Sequence, residues 1–397
     1  MLRVPIEQAK AGMSLSLPVI HPGNMTRVLL QAGAKLTVRS IERLDEQRVR
    51  EIWIDWPGLE FISEQVNPQL EQSHREFTYK LGTIFDTVAD DTHAEVDYSH
   101  LKFSVTGFMD KLLESPRAAF YLSEMMGDKS PELRHASAVC LTSLLIGLKL
   151  GGYLVQQRKK LKPKDAANIV NLGVGAMLHD IGMMRLDSVV TDRFYNTGDE
   201  SDEEWREHVR LGYHMVSGKV DPSAAAAVLH HHQRFDGLGF PPVSHAELRY
   251  EPDGQIGDKI HIFSRIIAAA DLYDRLRFCG QDTRVRTRVR TLKMLRDPQY
   301  LCRLDPVVLE GLFSVTPPYP PGALVTLSTG EKAVVIGWTH KDPCRPTVRI
   351  IGELNDDPPD EDVVTTVDLR TTAHTEIAFA EGETVINDNF YYGSLAA

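Results

Sequence analysis

Cysteine is scarce in this chain. Its four cysteines, Cys140, Cys279, Cys302 and Cys344, form no CxxC pair. That excludes a zinc ribbon and a disulfide framework, and reads as reduced thiols in a cytosol. Basic excess is lacking as well: 44 Lys and Arg against 55 Asp and Glu give a formal charge of -11, whereas general nucleic-acid binding needs a basic surface. No N-terminal signal peptide is visible, because MLRVPIEQAKAG has no apolar core. Long uninterrupted apolar runs are missing too. The longest such segment, AVCLTSLLIGLKLGGYLV, contains Lys149 and paired glycines, so it reads as a buried helix rather than a membrane span. The expectation is a cytoplasmic protein with no membrane and no DNA or RNA partner.

What is present has a clear order. A chain of 397 residues has room for two or three domains. Residues 1–62 read as a small β-rich domain, with short strands in LSLPVI, RVLLQ and EIWID separated by HPGN and AGAK, and a short helix in SIERLDEQRV opened by Ser40. Residues 63–125 read as a helical connector, since apolar positions recur at three and four in FTYKLGTIFDTVADD and FSVTGFMDKLLES. Helical patterning continues through 126–317 and ends at the proline cluster of TPPYPPGA. Residues 318–397 read as a small β domain: a hairpin around Thr329-Gly330, then strands in PTVRIIGEL and TEIAFAEG, with the acidic loop NDDPPDED between them. The fold class is mainly α, a helical bundle flanked by small β-rich terminal domains.

The run HHHQRFDGLGFP, residues 230–241, carries the most chemistry. Adjacent imidazoles are costly to bury without partners, and metal ions are their usual partners. Four other helices offer donors at the edges of apolar faces: His135 near the start of HASAVCLTSLLIGL, His179-Asp180 at the end of a helix beginning near Pro163, His208 in a helix opened by Ser201, and Asp271 after SRIIAAA. With His231 and His232 they make seven His and Asp donors and no Cys, which favours iron, manganese or a similar ion over structural zinc. Seven donors are too many for one tetrahedral ion and suit two divalent ions sharing a carboxylate, with Asp180 as the bridge. Two such ions hold a hydroxide nucleophile at neutral pH and clamp phosphate oxygens. His214, His245, His261 and His340 read as ordinary core or surface residues. So does His230, because consecutive helical residues point about 100° apart.

In this order, His135, His179-Asp180, His208, His231-His232, DGLGFP and Asp271, the motifs resemble the HD-GYP branch of the HD-domain phosphohydrolases across residues 126 to 315. The stretches flanking that region resemble the small domains that often border such units. The resemblance implies an HD-type helical bundle and a phosphodiesterase hydrolysing cyclic di-GMP to pGpG or GMP. Its implied metal ligands are His135, His179, Asp180, His208, His231, His232 and Asp271, with Asp180 and His179 at the heart of catalysis and two ions, Fe or Mn, as cofactors. The chain departs from the family pattern at several positions. Met183 stands where a lysine, a phosphate contact, usually follows HDxG; Gln233 replaces Glu after the histidine pair; and Phe240 replaces the tyrosine of GYP. Pro131 replaces the Glu of three-metal members, with Glu132 one residue out of register, which favours two ions over three. The usual basic motif after Asp271 is absent, so Arg277, Arg284 and Arg286 are the substitute phosphate contacts, against the alternative that TRVRTRVR is a solvated helix face. Gly237 and Gly239 permit positive φ and close approach, and the turn they form is either a wall of the substrate groove or a brace for His231 and His232. The segment SHAELRYEPDGQIGDK looks longer than the family link and reshapes the groove.

Two further functions stay open beside the cyclic di-GMP phosphodiesterase. One is a catalytically weak domain that binds a nucleotide or a signalling protein, which the loss of the lysine favours. The other is a phosphohydrolase for a different nucleotide. A homodimer is compatible with each.

Overall fold

A computed structural model describes residues 1–21, 24–63, 68–90, 98–114, 131–241, 256–278, 285–352 and 365–391. Near the N-terminus, β1 (Leu2–Pro5) pairs antiparallel with β4 (Glu51–Ile54), and β2 (Val19–His21) pairs with β3 (Asn24–Leu30). Between them α1 (Val38–Glu46) opens on a reciprocal cap: the Thr37 hydroxyl accepts from the Ser40 amide and the Ser40 hydroxyl accepts from the Thr37 amide. Ser40 is therefore the third helical residue, not the cap expected from sequence. Thr37 lies three residues earlier, where its oxygen reaches the free amide of the first turn.

The helical body follows: α2 (Pro68–Asp90), α3 (Ser99–Glu114), α4 (Pro131–Lys149), α5 (Gly151–Gln157), α6 (Val170–Leu178), α7 (Ser188–Thr197), α8 (His208–Val216), α9 (Pro222–His230), α10 (Ile262–Phe278), α11 (Arg288–Met294) and α12 (Pro306–Val315). Asp-Pro pairs open two of them. Asp221 caps α9 by accepting from the Ser223 amide, and Asp305 caps α12 by accepting from the Val307 and Val308 amides, each followed by proline at the first helical position. The helix expected to run from Pro163 to Asp180 is instead two. A single turn, Pro163–Ala166, ends before Ile169, and the Asn168 side chain accepts from the Val170 amide to start α6.

Helix α6 is the axis of the bundle. Its sequence VNLGVGAML is apolar except for Asn171, and every other residue of the helix is buried, as so apolar a helix requires. It packs against α3, α4 and α9. A Cβ on Gly175 would stand 3.1 Å from Ala227 Cβ and 3.3 Å from the Ala224 carbonyl, so this glycine lets α9 come close. Among the described residues no single helix is long and apolar enough to cross a membrane. α4 and α5 together would be, but the chain bends by 84° between them.

After α12 the chain forms a six-stranded antiparallel sheet ordered β10-β9-β5-β6-β7-β8. Its strands are β5 (Leu324–Leu327), β6 (Lys332–Gly337), β7 (Thr347–Ile350), β8 (Thr366–Asp368), β9 (Ile377–Ala380) and β10 (Glu383–Thr384). The expected hairpin is the β5–β6 pair, and PTVRIIGEL and TEIAFAEG supply β7 and β9. The NDDPPDED loop lies outside the described residues. One face of the sheet, with Val325, Ala333, Val335 and Val348, joins the helical core. On the other side Val334 and Ile351 enter a separate core with Leu2, Val4, Trp53, Ile54 and Trp56. The two β-rich ends thus share one core, and the Arg3 amide donates to Gly322 O across the junction at 3.2 Å.

The basic run around Arg288 has a third role, different from both expectations. Arg288 pairs with Glu381 at 2.7 Å, and Arg290 pairs with Glu383 at 2.6 Å and Asp388 at 2.9 Å. It clamps α11 to the β9–β10 end of the sheet.

Candidate metal centre

Three histidines are oriented by one repeated local device. His179, His208 and His231 each place Nδ1 against the carbonyl three residues back: Ala176 at 2.8 Å, Trp205 at 2.7 Å and Val228 at 2.7 Å. A carbonyl can only accept, so each Nδ1 donates and each Nε2 carries a lone pair pointing inward. His135 is oriented by a carboxylate instead, with Nδ1 donating to Asp274 at 2.6 Å. All four Nε2 atoms surround Asp180. His179 and His135 lie 3.3 and 3.5 Å from Oδ2, and His208 and His231 lie 3.4 and 3.5 Å from Oδ1. The Nε2 atoms also face one another, His179 to His135 at 3.2 Å and His208 to His231 at 3.4 Å.

Such a set is unstable without a shared proton or cation. Moreover, His232 Nε2 is buried with no hydrogen-bond partner among the described residues. The donors fall into two groups that meet at Asp180: His208, His231, His232 and Asp180, and His135, His179 and Asp180. The residues therefore fit a pair of divalent ions. Burial pushes His208 down to about 4, lowers His231 and holds His232 well below the usual range, so these rings are neutral, as ligands must be. For Asp180, burial opposes ionisation, but His179, His231 and His208 outweigh it and hold the carboxyl well below its ordinary value. His135 runs the other way: burial lowers it, yet Asp271 and Asp274 raise it to about 10. A cation held by His135 would take the place of that proton.

The glycine of the HDIG stretch positions the group that contains His208. A Cβ on Gly182 would stand 2.6 Å from Gly212 N and closer still to the His208 carbonyl oxygen, so only glycine lets α8 carry His208 this near. The cap of the one-turn helix before α8 is Asp202, not Ser201. Its carboxylate accepts from the Glu204 and Trp205 amides, while Ser201 donates its hydroxyl to Asp199.

The HHHQRFDGLGFP run divides as its chemistry requires. His231 and His232 face the centre and His230 does not join either donor group. Gly237 has φ +81°, while Gly239 presses on the backbone around His232 and Arg234, where a Cβ would sit 2.7 Å from Gln233 Cα. Asp236 accepts from the Leu238 amide at 3.1 Å. Gln233 Nε2 donates to Pro241 O at 2.5 Å and closes the turn. A glutamate there would set two acceptors face to face, which gives this departure a structural reason. Phe240 stacks on His232 with ring centroids 4.5 Å apart. The turn is thus built as a brace for the histidine pair, while Leu238 at its tip is 74% exposed. Met183 lies in an apolar cluster with Val190, Phe194, Trp205, Val209 and Phe240. The segment SHAELRYEPDGQIGDK lies mostly outside the described residues, as does His245.

The arginines suggested as phosphate contacts are not brought to the centre. Arg277 faces Glu381 at 3.6 Å, at the sheet end, and the Arg286 guanidinium donates to the Leu276 carbonyl. Arg284 lies outside the described residues. The cation that does reach the site is Arg275, with Nε 2.9 and 3.0 Å from the two oxygens of Asp271. Asp271 itself sits 3.2 Å from His135 Nε2 and 3.9 Å from His232 Nδ1. Asp274 and its bidentate partner Arg134, at 3.1 Å for both bonds, were not anticipated from sequence either. The available signal was spacing, since Asp274 and Arg275 lie three and four residues after Asp271 on one helical face.

Residues 147–308 match the HD domain family. The chain carries an HD domain, and His135 lies just ahead of the matched stretch. The chain has curated relatives as well. It is 24% identical over 261 residues to cyclic di-GMP phosphodiesterase PA4108 of Pseudomonas aeruginosa, covering 64% of this chain and 56% of that protein. It is 36% identical over 107 residues to the cyclic di-GMP phosphodiesterase response regulator RpfG of Xanthomonas campestris pv. campestris, covering 26% of this chain and 25% of that protein. A third relative, 3'3'-cGAMP-specific phosphodiesterase 3 of Vibrio cholerae, is 25% identical over 241 residues, 59% of this chain and 44% of the relative. The chain therefore spans about half the length, or less, of the curated relatives it matches. Among solved structures, Bd1817, an HDG"Y"P protein from Bdellovibrio bacteriovorus, superposes with a TM-score of 0.46 at 14% identity, covering 78% of this chain and 97% of that one.

Proposed function

We propose that this chain is a two-metal phosphodiesterase that opens cyclic di-GMP to pGpG, GMP or both. The observation that carries the reading is the pair of donor groups meeting at one carboxylate, Asp180. His135, His179 and Asp180 hold one ion, with Asp271 as the added ligand; His208, His231, His232 and Asp180 hold the other. Fe or Mn is the assigned metal, because the donors are imidazole and carboxylate without thiolate. When bound, two such ions supply an activated water and offset the charge that builds on the phosphate in the transition state.

The chain's own residues prepare this chemistry. Backbone carbonyls fix three imidazoles and Asp274 fixes the fourth, so the ligand geometry is set before any ion arrives. Phe240, Trp205 and Met183 keep water from one flank of the histidine cluster. We assign residues 126–317 as the catalytic domain and 63–125 as its connector. Residues 1–62 and 318–397, which meet in one core, are the parts that receive a signal or a protein partner. A cytoplasmic location and a homodimer complete the proposal.

Met183 favours a second reading, a nucleotide- or protein-binding module with weak turnover, since an apolar side chain stands where a phosphate-contacting lysine is expected. Protein loaded anaerobically with Fe or Mn is to be incubated with cyclic di-GMP, and separately with 3'3'-cGAMP, and the products separated by chromatography. Release of pGpG or GMP supports the first reading. Bound metal and tight nucleotide binding without hydrolysis supports the second, and cleavage of 3'3'-cGAMP alone changes the substrate.

A further inference from the structure

We infer that Arg275 makes the two halves of the metal centre unequal, so that the His208, His231, His232 and Asp180 half fills first and the His135, His179 and Asp180 half fills only at higher metal concentration. The inference rests on the two-metal reading above and concerns the order in which that centre loads.

The first half has four donors within reach of one another. The second has three, and its natural fourth is Asp271, whose Oδ1 lies 3.2 Å from His135 Nε2. Both oxygens of that carboxylate are already engaged by Arg275, through Nε at 2.9 and 3.0 Å and Nη2 at 2.8 Å. The fork is held from behind as well. Arg275 Nη1 donates to Glu200 at 2.6 Å, the other Glu200 oxygen takes Arg303 at 3.1 Å, and the Glu200 carbonyl takes Arg206 at 2.7 Å. Arg275 therefore cannot swing away freely when an ion approaches. An ion in the second half must share Asp271 with a fixed guanidinium, and it meets that positive charge across a short, water-poor gap. Among the described residues no arginine or lysine forms an ion pair with Asp180, and Arg275 bears on the first half only as a charge acting on His232. The consequence is a centre whose second ion, and the chemistry that needs it, responds to metal supply.

The test is titration of the metal-free full chain with Mn2+ by calorimetry, followed in parallel by electron paramagnetic resonance. The wild-type chain should show two steps differing about tenfold or more in affinity, the range that outer contacts to ligands command. An isolated-Mn2+ signal should dominate at one equivalent, and a spin-coupled signal should grow only with the second. Arg275→Met removes a fixed positive charge and frees Asp271, so it should tighten the second step by about tenfold and leave the first nearly unchanged. Arg275→Lys keeps the charge but loses the fork, so it should give a smaller gain in the same step. It also keeps the idea testable should the methionine variant fold poorly. Two equal steps in the wild-type chain, or a second step weakened by Arg275→Met, would overturn this proposal while leaving the two-metal reading intact. Absence of Mn2+ binding at both steps would overturn both.

Discussion

Replacing Gly182 with alanine tests how the fold delivers His208. The added methyl would stand 2.6 Å from Gly212 N and 2.9 Å from the His208 carbonyl carbon, and nearer still to that carbonyl's oxygen. These are backbone atoms of α8, so no side chain can rotate aside. The helix must retreat, and His208 moves with it, away from Asp180 Oδ1 at 3.4 Å and His231 Nε2 at 3.4 Å. Overpacking of this kind costs about 1–3 kcal/mol, and a backbone obstruction belongs at the upper end. For a unit of this size that lowers the melting temperature by roughly 5–10 °C. Mn2+ affinity in the four-donor half should fall by about tenfold or more, because a ligand has been displaced. Thermal melts with and without Mn2+, beside a metal titration, read both effects. Gly152→Ala is the control: a Cβ there meets nothing within 4 Å, so it should be neutral or slightly stabilising. A Gly182→Ala protein with wild-type melting and metal binding would refute the argument that this glycine sets the position of α8.

Further outcomes follow from other parts of the centre. Asp180→Ala removes the carboxylate common to both donor groups, so the dialysed protein should retain neither ion and should not turn over cyclic di-GMP; two retained ions would refute the shared ligand. Gln233→Glu cannot donate to Pro241 O and should destabilise the fold by roughly 1–3 kcal/mol, seen as a lower melting temperature at neutral pH. An unchanged melt would show that this bond does not close the turn. His74, buried beside the stacked pair Phe77 and Phe108 with Nε2 3.1 Å from Ser137, is pushed down to about 4 by burial. Since the unfolded chain takes up this proton near 6.5, stability should fall as pH drops from 6.5 towards 4. In His74→Gln that fall should be smaller by up to about 3 kcal/mol, measured by denaturant unfolding of metal-free protein. Parallel curves for the two proteins would contradict it.

The donors that gather around Asp180 were legible in the sequence because most lie near a helix end, and Asp271, inside α10, follows an apolar run. His179 follows the apolar VNLGVGAML, and Asp271 follows IIAAA, so pattern and chemistry point the same way. The residues that hold the ligands were harder to see. Arg275 lies on the same helix as Asp271, but its second anchor, Glu200, is 75 residues away and is fixed only by tertiary packing. Arg277 and Arg286 look equally available in sequence, yet α10 turns Arg277 towards the sheet, and Arg286, ahead of α11, donates back to the end of α10. The same non-locality hid β1, a four-residue strand whose partner β4 begins almost fifty residues later. It also hid the common core of the two chain ends, because Val334 and Ile351 show no local sign that Trp53 lies beside them. Caps were misread by short distances for a local reason: Thr37 and Ser40, or Ser201 and Asp202, are all good cap residues, and the backbone chooses between them.

Diffraction from crystals of the full chain grown with Mn2+, recorded for anomalous scattering, tests the central claim most directly. Two anomalous peaks are expected per chain, about 3.5–4 Å apart, on either side of the Asp180 carboxylate. One peak should touch His208, His231 and His232, and the other His135 and His179. A single peak, or a pair that does not share Asp180, would contradict it.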